Sequence, residues 1–404
     1  MANILFIGRF YLKQNYNNIV QNSTNFIIDN AGSNLQWNYI KGFIENGVSV
    51  KAYTFPVLPP KIILSRPMHE IYLKNAIVIK PCIFNILLIK QFNEFLQTFV
   101  LLLFKNRDNH PVIVYSFYLP IVFAAVLAKV CFLRKFTINL IIPDLPIYQS
   151  SKTLRLYRFF KTFENYILNK LVVFVDNFAL ITNNLKCVIP GIQKNNSVVI
   201  EGILDPSILE FSLPKLFNKI TFLYSGALDP RYGVLDLLNA FMRIRNENIR
   251  LVVLGEGPCK SEFISASRAD HRIYYFGSVS YQRALWFQRR STYLVNPRSD
   301  SLEYTKYSFP SKTLDYLGCL RPILGFRLSG IPKEYFPYIF SIEQIRFRVD
   351  EYASLEEKLY ALFLSQIEND FNYLYSINDL QVFLATKSPK NQTKKFLNLI
   401  LNEK

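Results

Sequence analysis

The stretch Tyr307-Ser308-Phe309-Pro310-Ser311-Lys312-Thr313-Leu314-Asp315 brings hydroxyls, an ammonium and a carboxylate together where a proline-bounded loop runs into a short helix. Backbone N–H groups at a helix N-terminus are unpaired donors with partial positive charge, so they attract phosphate. Lys312 adds a point charge there, and Asp315, three residues on, can accept from the two hydroxyls of a ribose. Phosphate donors beside a sugar acceptor suggest a site for a nucleotide or a nucleotide-sugar.

Other segments of the second half add to this chemistry. Tyr224-Ser225-Gly226 ends a strand and leads through Ala227-Leu228-Asp229-Pro230-Arg231 into the helical run Leu235–Phe241. Gly226 would let the backbone approach a pyrophosphate, and Arg231 would pair with its oxygens. A solvated turn arginine is the other reading. Leu254-Gly255-Glu256-Gly257 closes a further strand, where Gly255 serves either a phosphate or a plain strand-to-helix turn. Arg298, after Asn296-Pro297, faces donor phosphate or makes a structural salt bridge.

Positioning these groups requires an alternating α/β chain. Strand candidates are Asn3–Gly8, Val48–Phe55, Val112–Tyr118, Thr137–Ile142, Phe178–Thr182 and Ser197–Ile200 in the first half. Ile220–Ser225, Arg250–Gly255, Ile273–Gly277, Tyr293–Asn296 and Pro322–Phe326 follow in the second, with helices such as Asn34–Glu45, Leu235–Arg245 and Gln282–Arg289 between strands. Such a succession means parallel sheets covered on both faces, with ligands at the carboxyl ends of the strands. The rhythm breaks at Glu201–Asn218, which holds Asp205-Pro206 and Pro214. The reading is therefore a first domain over 1–205 and a second over 206–384, with a C-terminal helix at about 385–404 packing back on the first.

Composition narrows the partners. The 404 residues carry a formal net charge of +17. Residues 1–205 hold 21 Lys/Arg against 10 Asp/Glu, so most of the excess sits in the first half. No finger, RNA-binding box or basic tail accompanies it, which excludes nucleic acid and favours an anionic membrane surface. Five scattered cysteines and three histidines give neither a disulfide framework nor a metal site, as expected of a chain in a reducing cytoplasm. The N-terminal run reads as a first strand and not as a signal peptide. Val112–Ala128 is apolar enough to be mistaken for a membrane span, but Pro120 divides it into a strand and a helix. The apolar run 83–104, interrupted by Lys90 and Glu94, reads as a core helix.

In order and content these landmarks resemble family 4 glycosyltransferases of the GT-B architecture, in particular bacterial capsule, exopolysaccharide and O-antigen sugar transferases. Tyr224–Gly233 with its following helix, Leu254-Gly255-Glu256-Gly257, Leu294–Arg298 and Tyr307–Leu324 carry the likeness, with Ile142-Pro143-Asp144-Leu145-Pro146 and Val199–Ile203 as looser landmarks. The resemblance implies two Rossmann-like domains facing each other across a cleft, and a UDP- or GDP-sugar donor held by the second. It also implies retention at the anomeric carbon, with neither metal nor cofactor. Donor contacts would come from Gly226, Arg231, Gly255, Arg298, Tyr307, Ser308, Phe309, Pro310, Ser311, Lys312 and Asp315. Arg231 and Lys312 would act on the departing diphosphate. Two departures stand out. The family's pair of donor-site glutamates appears here as Tyr307 and Asp315, and its phosphate-binding Arg and Lys appear as Ala227 and Tyr232.

The first half would hold the acceptor, a lipid-linked saccharide at the cytoplasmic face of the plasma membrane. Gly8, Gly32 and Ser33 are candidates to let it approach a helix N-terminus, Ser33 being alternatively an N-cap. Asp144, after a strand and between prolines, is the first-domain catalytic candidate or else a turn-forming aspartate. His110 reads as a surface residue. Lys152, Arg155, Arg158 and Lys161 recur along an aromatic-rich helix, which suits an anionic membrane surface or is simply a solvated face. Two rival functions fit the same landmarks: a non-catalytic nucleotide-sugar-binding scaffold of a polysaccharide assembly system, and a GT-B sugar epimerase.

Overall fold

The computed structural model describes residues 2–12, 30–58, 63–64, 68–72, 76–81, 83–84, 86, 89–145, 155–209, 214–345, 349–350, 353–368 and 375–401. The chain divides into two compact units, Met1–Ile203 with Lys387–Lys404, and Leu204–Thr386. Among the described residues no helix is long and apolar enough to cross a membrane.

In the first unit the strands are β1 (Asn3–Gly8), β2 (Ser49–Thr54), β3 (Ile63–Leu64), β4 (Met68–Tyr72), β5 (Ala76–Lys80), β6 (Ile83–Phe84), β7 (Val112–Tyr115), β8 (Ile138–Ile142), β9 (Asn177–Leu180) and β10 (Ser197–Val199). Eight form one sheet in the order β10-β9-β8-β7-β1-β2-β5-β4, while β3 and β6 pair as a separate antiparallel ribbon. Only β4 runs antiparallel to its neighbour in the large sheet. The sequence Ile-Asn-Leu-Ile-Ile of β8 is buried throughout, the signature of a strand covered on both faces. Helices α1 (Asn30–Glu45), α2 (Ile89–Val100), α3 (Leu119–Cys131) and α4 (Arg155–Leu171) flank the strands.

Several boundaries differ from the sequence reading for local reasons. The strand expected to reach Tyr118 stops at Tyr115 because Ser116 takes φ 85°, a left-handed conformation that ends the ladder. Pro120 then lies in the first turn of α3, where its missing N–H costs nothing. The run 83–104 is not a core helix throughout: it opens with the short strand β6, and its helix leaves Phe92 and Phe104 more than half exposed. Helix α1 starts at Asn30, four residues ahead of the expected Asn34.

The second unit is a six-stranded, fully parallel sheet in the order β13-β12-β11-β14-β15-β16, built from β11 (Ile220–Ser225), β12 (Ile249–Leu254), β13 (Ile273–Tyr275), β14 (Tyr293–Val295), β15 (Ile323–Leu324) and β16 (Ile339–Phe340). Helices α5 (Val234–Met242), α6 (Lys260–Ala269), α7 (Tyr281–Arg290), α8 (Lys312–Gly318), α9 (Leu355–Glu368) and α10 (Ile377–Thr386) accompany it. Phe222 of β11 anchors the core, its ring 4.5 Å from Phe363 of α9 and 5.4 Å from Tyr293 of β14. Two consecutive parallel-sheet units, each with helical crossovers, make an α/β protein.

The last helix, α11 (Pro389–Ile400), belongs to the first unit and lies against α1. Gly42 permits this approach, since a Cβ there would stand 2.3 Å from the Pro389 carbonyl oxygen. Just ahead of α11, Lys387 is ion-paired with Glu201, and both side chains are buried. Removing one partner of a buried pair strands the other charge away from water. Lys387→Ala should therefore lower the unfolding free energy of the first unit by about 3 kcal/mol in urea denaturation, whereas replacing the exposed Lys390 should change it little.

Candidate functional site

Successive strands leave β11 in opposite directions, to β12 on one side and β14 on the other, so the second unit has its topological switch point there. The loops outside these carboxyl ends hold most of the residues expected to bind a donor. Gly226 and Gly255 face each other across the ends of β11 and β12. Gly255 has φ 139°, and a Cβ on it would stand 1.8 Å from the Gly226 carbonyl oxygen. Gly255 is thus required by this backbone contact, whereas a Cβ on Gly226 would meet the Tyr224 hydroxyl at 2.8 Å.

Arg231 lies in the short 3-10 turn Pro230–Tyr232, which Asp229 caps. Its guanidinium grips Asp229 with two bonds, Nε to Oδ1 at 3.0 Å and Nη2 to Oδ2 at 2.8 Å. Partial burial disfavours the Asp229 charge, yet hydrogen bonds from the Arg231 side chain and backbone hold its pKa below the usual carboxylate range. The expectation of an arginine free for pyrophosphate is corrected accordingly: Arg231 is already matched by a carboxylate two residues away.

Arg298 is the cation that remains. It follows the end of β14 and lies 3.9 Å above the ring of Tyr232, a cation–π contact, with no ion pair among the described residues. Tyr304 completes the cluster, its hydroxyl donating to the Arg231 carbonyl oxygen at 3.2 Å. The sequence carries no signal for either as a supporting residue: Tyr232 meets Arg298, and Tyr304 meets Arg231, only in the folded chain.

The loop Glu303–Tyr307 is a 3-10 turn that runs through Ser308 into α8. Phe309 and Pro310 are buried, Phe309 against Tyr335 at 5.3 Å, so these two pack the loop down and offer no side chain to a ligand. Tyr307 and Ser308 are half-buried and Ser311 is exposed. Helix α8 is only seven residues long and Ser311 makes no capping bond. Its position is set by Tyr316, which accepts from the Ser225 N–H at 2.8 Å and thereby ties α8 to the carboxyl end of β11. On the same helix Lys312 stands 3.9 Å from Asp315. Burial raises the Asp315 pKa, Lys312 opposes that rise, and Asp205 adds to it.

In the first unit the expected acceptor residues are structural. Space beside Gly8 is filled by Gln36, whose Oε1 also accepts from the Arg9 N–H at 2.7 Å. Ser33 is not an N-cap; it lies inside α1, buried, and accepts from the Tyr11 N–H at 3.1 Å. The Gly32 carbonyl accepts from Gln36 Nε2. Asp144 is exposed in the bend that follows β8. His110 is partly exposed, 3.5 Å from Asp108. Lys152 lies outside the described residues; Arg155 and Arg158 fall in the first turns of α4, and Lys161 is ion-paired with Glu164 at 2.6 Å.

Residues 219–339 match the family model described as Glycosyl transferases group 1. That segment, most of the second unit, is similar to a group 1 glycosyltransferase domain. Along its whole length the chain also superposes on solved structures. The lipopolysaccharide outer core galactosyltransferase WaaB in its apo form is similar with a TM-score of 0.63 at 15% identity, covering 100% of both chains. An α,α-trehalose-phosphate synthase (UDP-forming) from Burkholderia xenovorans, in complex with glucose-6-phosphate, gives 0.63 at 8% identity over 99% of this chain and 100% of that one. HepE from Anabaena, in complex with UDP and glucose, gives 0.61 at 9% identity over 100% of both. At these identities the likeness establishes the GT-B fold. No curated protein sequence matches the chain significantly.

The raised Asp315 pKa has a consequence for stability. A carboxyl whose folded pKa lies above its unfolded value of about 3.9 favours the fold below that value, and the advantage is lost as pH rises through the folded pKa. Asp315→Asn should remove this loss, so thermal melts of the variant should fall less from acid to neutral pH than those of the parent. Equal pH profiles would show that Asp315 is as well solvated folded as unfolded.

Proposed function

We propose that this protein is a retaining, metal-independent glycosyltransferase. It moves a sugar from a UDP- or GDP-sugar to a lipid-linked or growing saccharide in bacterial surface polysaccharide synthesis. The observation that carries the reading is Arg298: held on Tyr232 at a switch point and without a carboxylate partner among the described residues, it is poised for an oxyanion. Lys312 supplies a second cation, Asp315 accepts from ribose hydroxyls, and Arg231 with Asp229 braces the loop.

In this mechanism the bond between the anomeric carbon and the diphosphate breaks while the acceptor hydroxyl bonds to the same face of that carbon. The hydroxyl proton passes to an oxygen of the departing diphosphate. Negative charge grows on the leaving group, so Arg298 and Lys312 act where stabilisation lowers the barrier. No carboxylate at Tyr307 is needed for these steps. Asp144, exposed at the carboxyl end of β8, is the first-unit polar group assigned to the acceptor side.

Lys312→Ala and Arg298→Ala should each weaken UDP or GDP binding by about 1.5–3 kcal/mol if they bond phosphate, read by isothermal titration. Unchanged affinity in a folded variant would sink the assignment. Tight nucleotide binding with neither donor hydrolysis nor transfer would favour a scaffold, and donor isomerisation without acceptor an epimerase. Transfer that survives a chelator would support metal independence.

The acceptor reading places the protein on an anionic membrane at its inner face. Helices α2, α3 and α4 adjoin one another, and their outer sides carry exposed Phe92, Leu96, Phe123, Phe159, Phe160 and Phe163. Ring contacts join α2 to α3, with Phe95 stacked on Phe123 at 5.4 Å. Helix α4 has four cations, Arg155, Arg158, Lys161 and Lys170, against the single carboxylate Glu164. Aromatics edged with cations suit a headgroup boundary. The full chain should float with vesicles containing phosphatidylglycerol in low salt. Phe159→Ser with Phe163→Ser should cut the bound fraction several-fold without changing nucleotide affinity; binding unaffected by both changes would rule out this face.

A further inference from the structure

The first unit has a switch point of its own. Strand β1 lies between β2 and β7, so the chain leaves it in opposite directions, and ligands of open parallel sheets sit outside such carboxyl ends. What stands there is a cluster that the sequence reading did not use. Arg9 follows β1 directly, Tyr118 ends the loop after β7, and Lys90 and Glu94 come from the first turns of α2. The Arg9 guanidinium lies 4.0 Å from the centre of the Tyr118 ring. The Tyr118 hydroxyl donates to Glu94 Oε2 at 2.7 Å. Glu94 is fully buried, while Arg9, Lys90 and Tyr118 are partly exposed above it.

This arrangement is not a closed salt bridge. A phenol, not a carboxylate, supports Arg9, and neither Arg9 nor Lys90 makes an ion pair among the described residues. Arg9 Nε and Glu94 Oε1 are buried without a hydrogen-bond partner. Burial and the nearby Arg9 charge both lower the Lys90 pKa, with Glu94 opposing, so the two cations are close enough to repel. Glu164 of α4 also acts on Tyr118, but it is matched by Lys161. Counting Arg9, Lys90 and Lys161 against Glu94 and Glu164 leaves one positive charge. The loop that delivers Tyr118 turns through Ser116, a buried non-glycine residue at φ 85°. Backbone held in that region is found where a site over-determines it.

We propose that Arg9 and Lys90 form a subsite for an oxyanion borne by a saccharide, either a phosphoryl or a carboxylate group. Tyr118 and Glu94 are positioning residues: Glu94 holds the phenol, and the phenol face holds the guanidinium, whose outer nitrogens have no ion-pair partner among the described residues and suit a bidentate bond. That the saccharide is the acceptor rests on the transferase reading; the anion subsite does not.

The test uses the full chain without nucleotide and follows binding of glucose 1-phosphate, glucuronate, inorganic phosphate and glucose by ligand-observed NMR. Glucose 1-phosphate, glucuronate or both should bind at least tenfold more tightly than glucose, and which of them does so identifies the group. Lys90→Gln, at a partly exposed position, should abolish that preference while leaving UDP and GDP affinity unchanged. Glu94→Gln keeps an acceptor for Tyr118 but removes a negative charge, so it should tighten anion binding several-fold without affecting glucose; a merely structural role would move neither. Inorganic phosphate binding as well as the sugar phosphate would reduce the subsite to a phosphate site and overturn the saccharide. Equal binding of charged and neutral sugars, no binding, or a preference that survives Lys90→Gln would overturn the proposal outright. Nucleotide titration of the parent is independent of these results, so failure of the subsite and failure of the donor reading are distinguishable.

Discussion

The bond between the Tyr316 hydroxyl and the Ser225 backbone fixes α8 to the carboxyl end of β11, and the proposed donor chemistry depends on it. A seven-residue helix has little intrinsic stability and a weak dipole, so it cannot hold its own orientation in water. Buried Tyr316 supplies what the helix lacks: a rigid ring in the core and a hydroxyl that satisfies a strand-end N–H. Lys312 and Asp315 are thereby presented beside the switch point as a fixed pair. An attraction that a free helix end would exert only weakly becomes a property of the folded unit, because the strand cannot move without the sheet.

Charge is distributed around that frame by pairing, and the unpaired members are informative. Arg231 is spent on Asp229, which caps its own turn, so its electrostatic reach beyond the loop is small. Arg298 is supported by an aromatic face, which orients a guanidinium without neutralising it. The same device recurs in the first unit, where Tyr118 supports Arg9. A tyrosine beneath an arginine keeps positive charge available at a strand end, whereas a carboxylate would consume it. Tyr232, which takes the place of a cation in the family resemblance, instead supports the cation Arg298.

Periodicity made the sheets legible and pairing remained hidden. Strands β1 and β11 have the boundaries that their apolar runs suggest, and α7 exceeds its expected range by one residue at each end. These elements are written in local hydrophobic runs, which a sequence displays directly. Strands β15 and β16 span two residues each, too short to establish any period. The family resemblance singles out the α8 segment as the donor site, yet Phe309 and Pro310 are packing residues within it. The Asp229 match to Arg231 had a readable signal, an aspartate before Pro-Arg capping a turn, whereas Tyr232 beneath Arg298 joins residues distant in sequence and had none. Ser33 misled because an N-cap residue and a buried serine inside a helix look alike until the helix start is known.

Glu94 shows how the same limit cuts the other way. In the sequence it is merely a charge that interrupts an apolar run, the kind of residue that argues against a membrane span. A carboxylate placed at the centre of a helix and buried at no exposure is unfavourable unless something repays its desolvation. One hydrogen bond from Tyr118 satisfies half of it, and the two cations above supply the rest only through space. A chain that needed only a stable α2 would be better served by leucine at this position, which makes the buried charge an argument for a site at the end of β1.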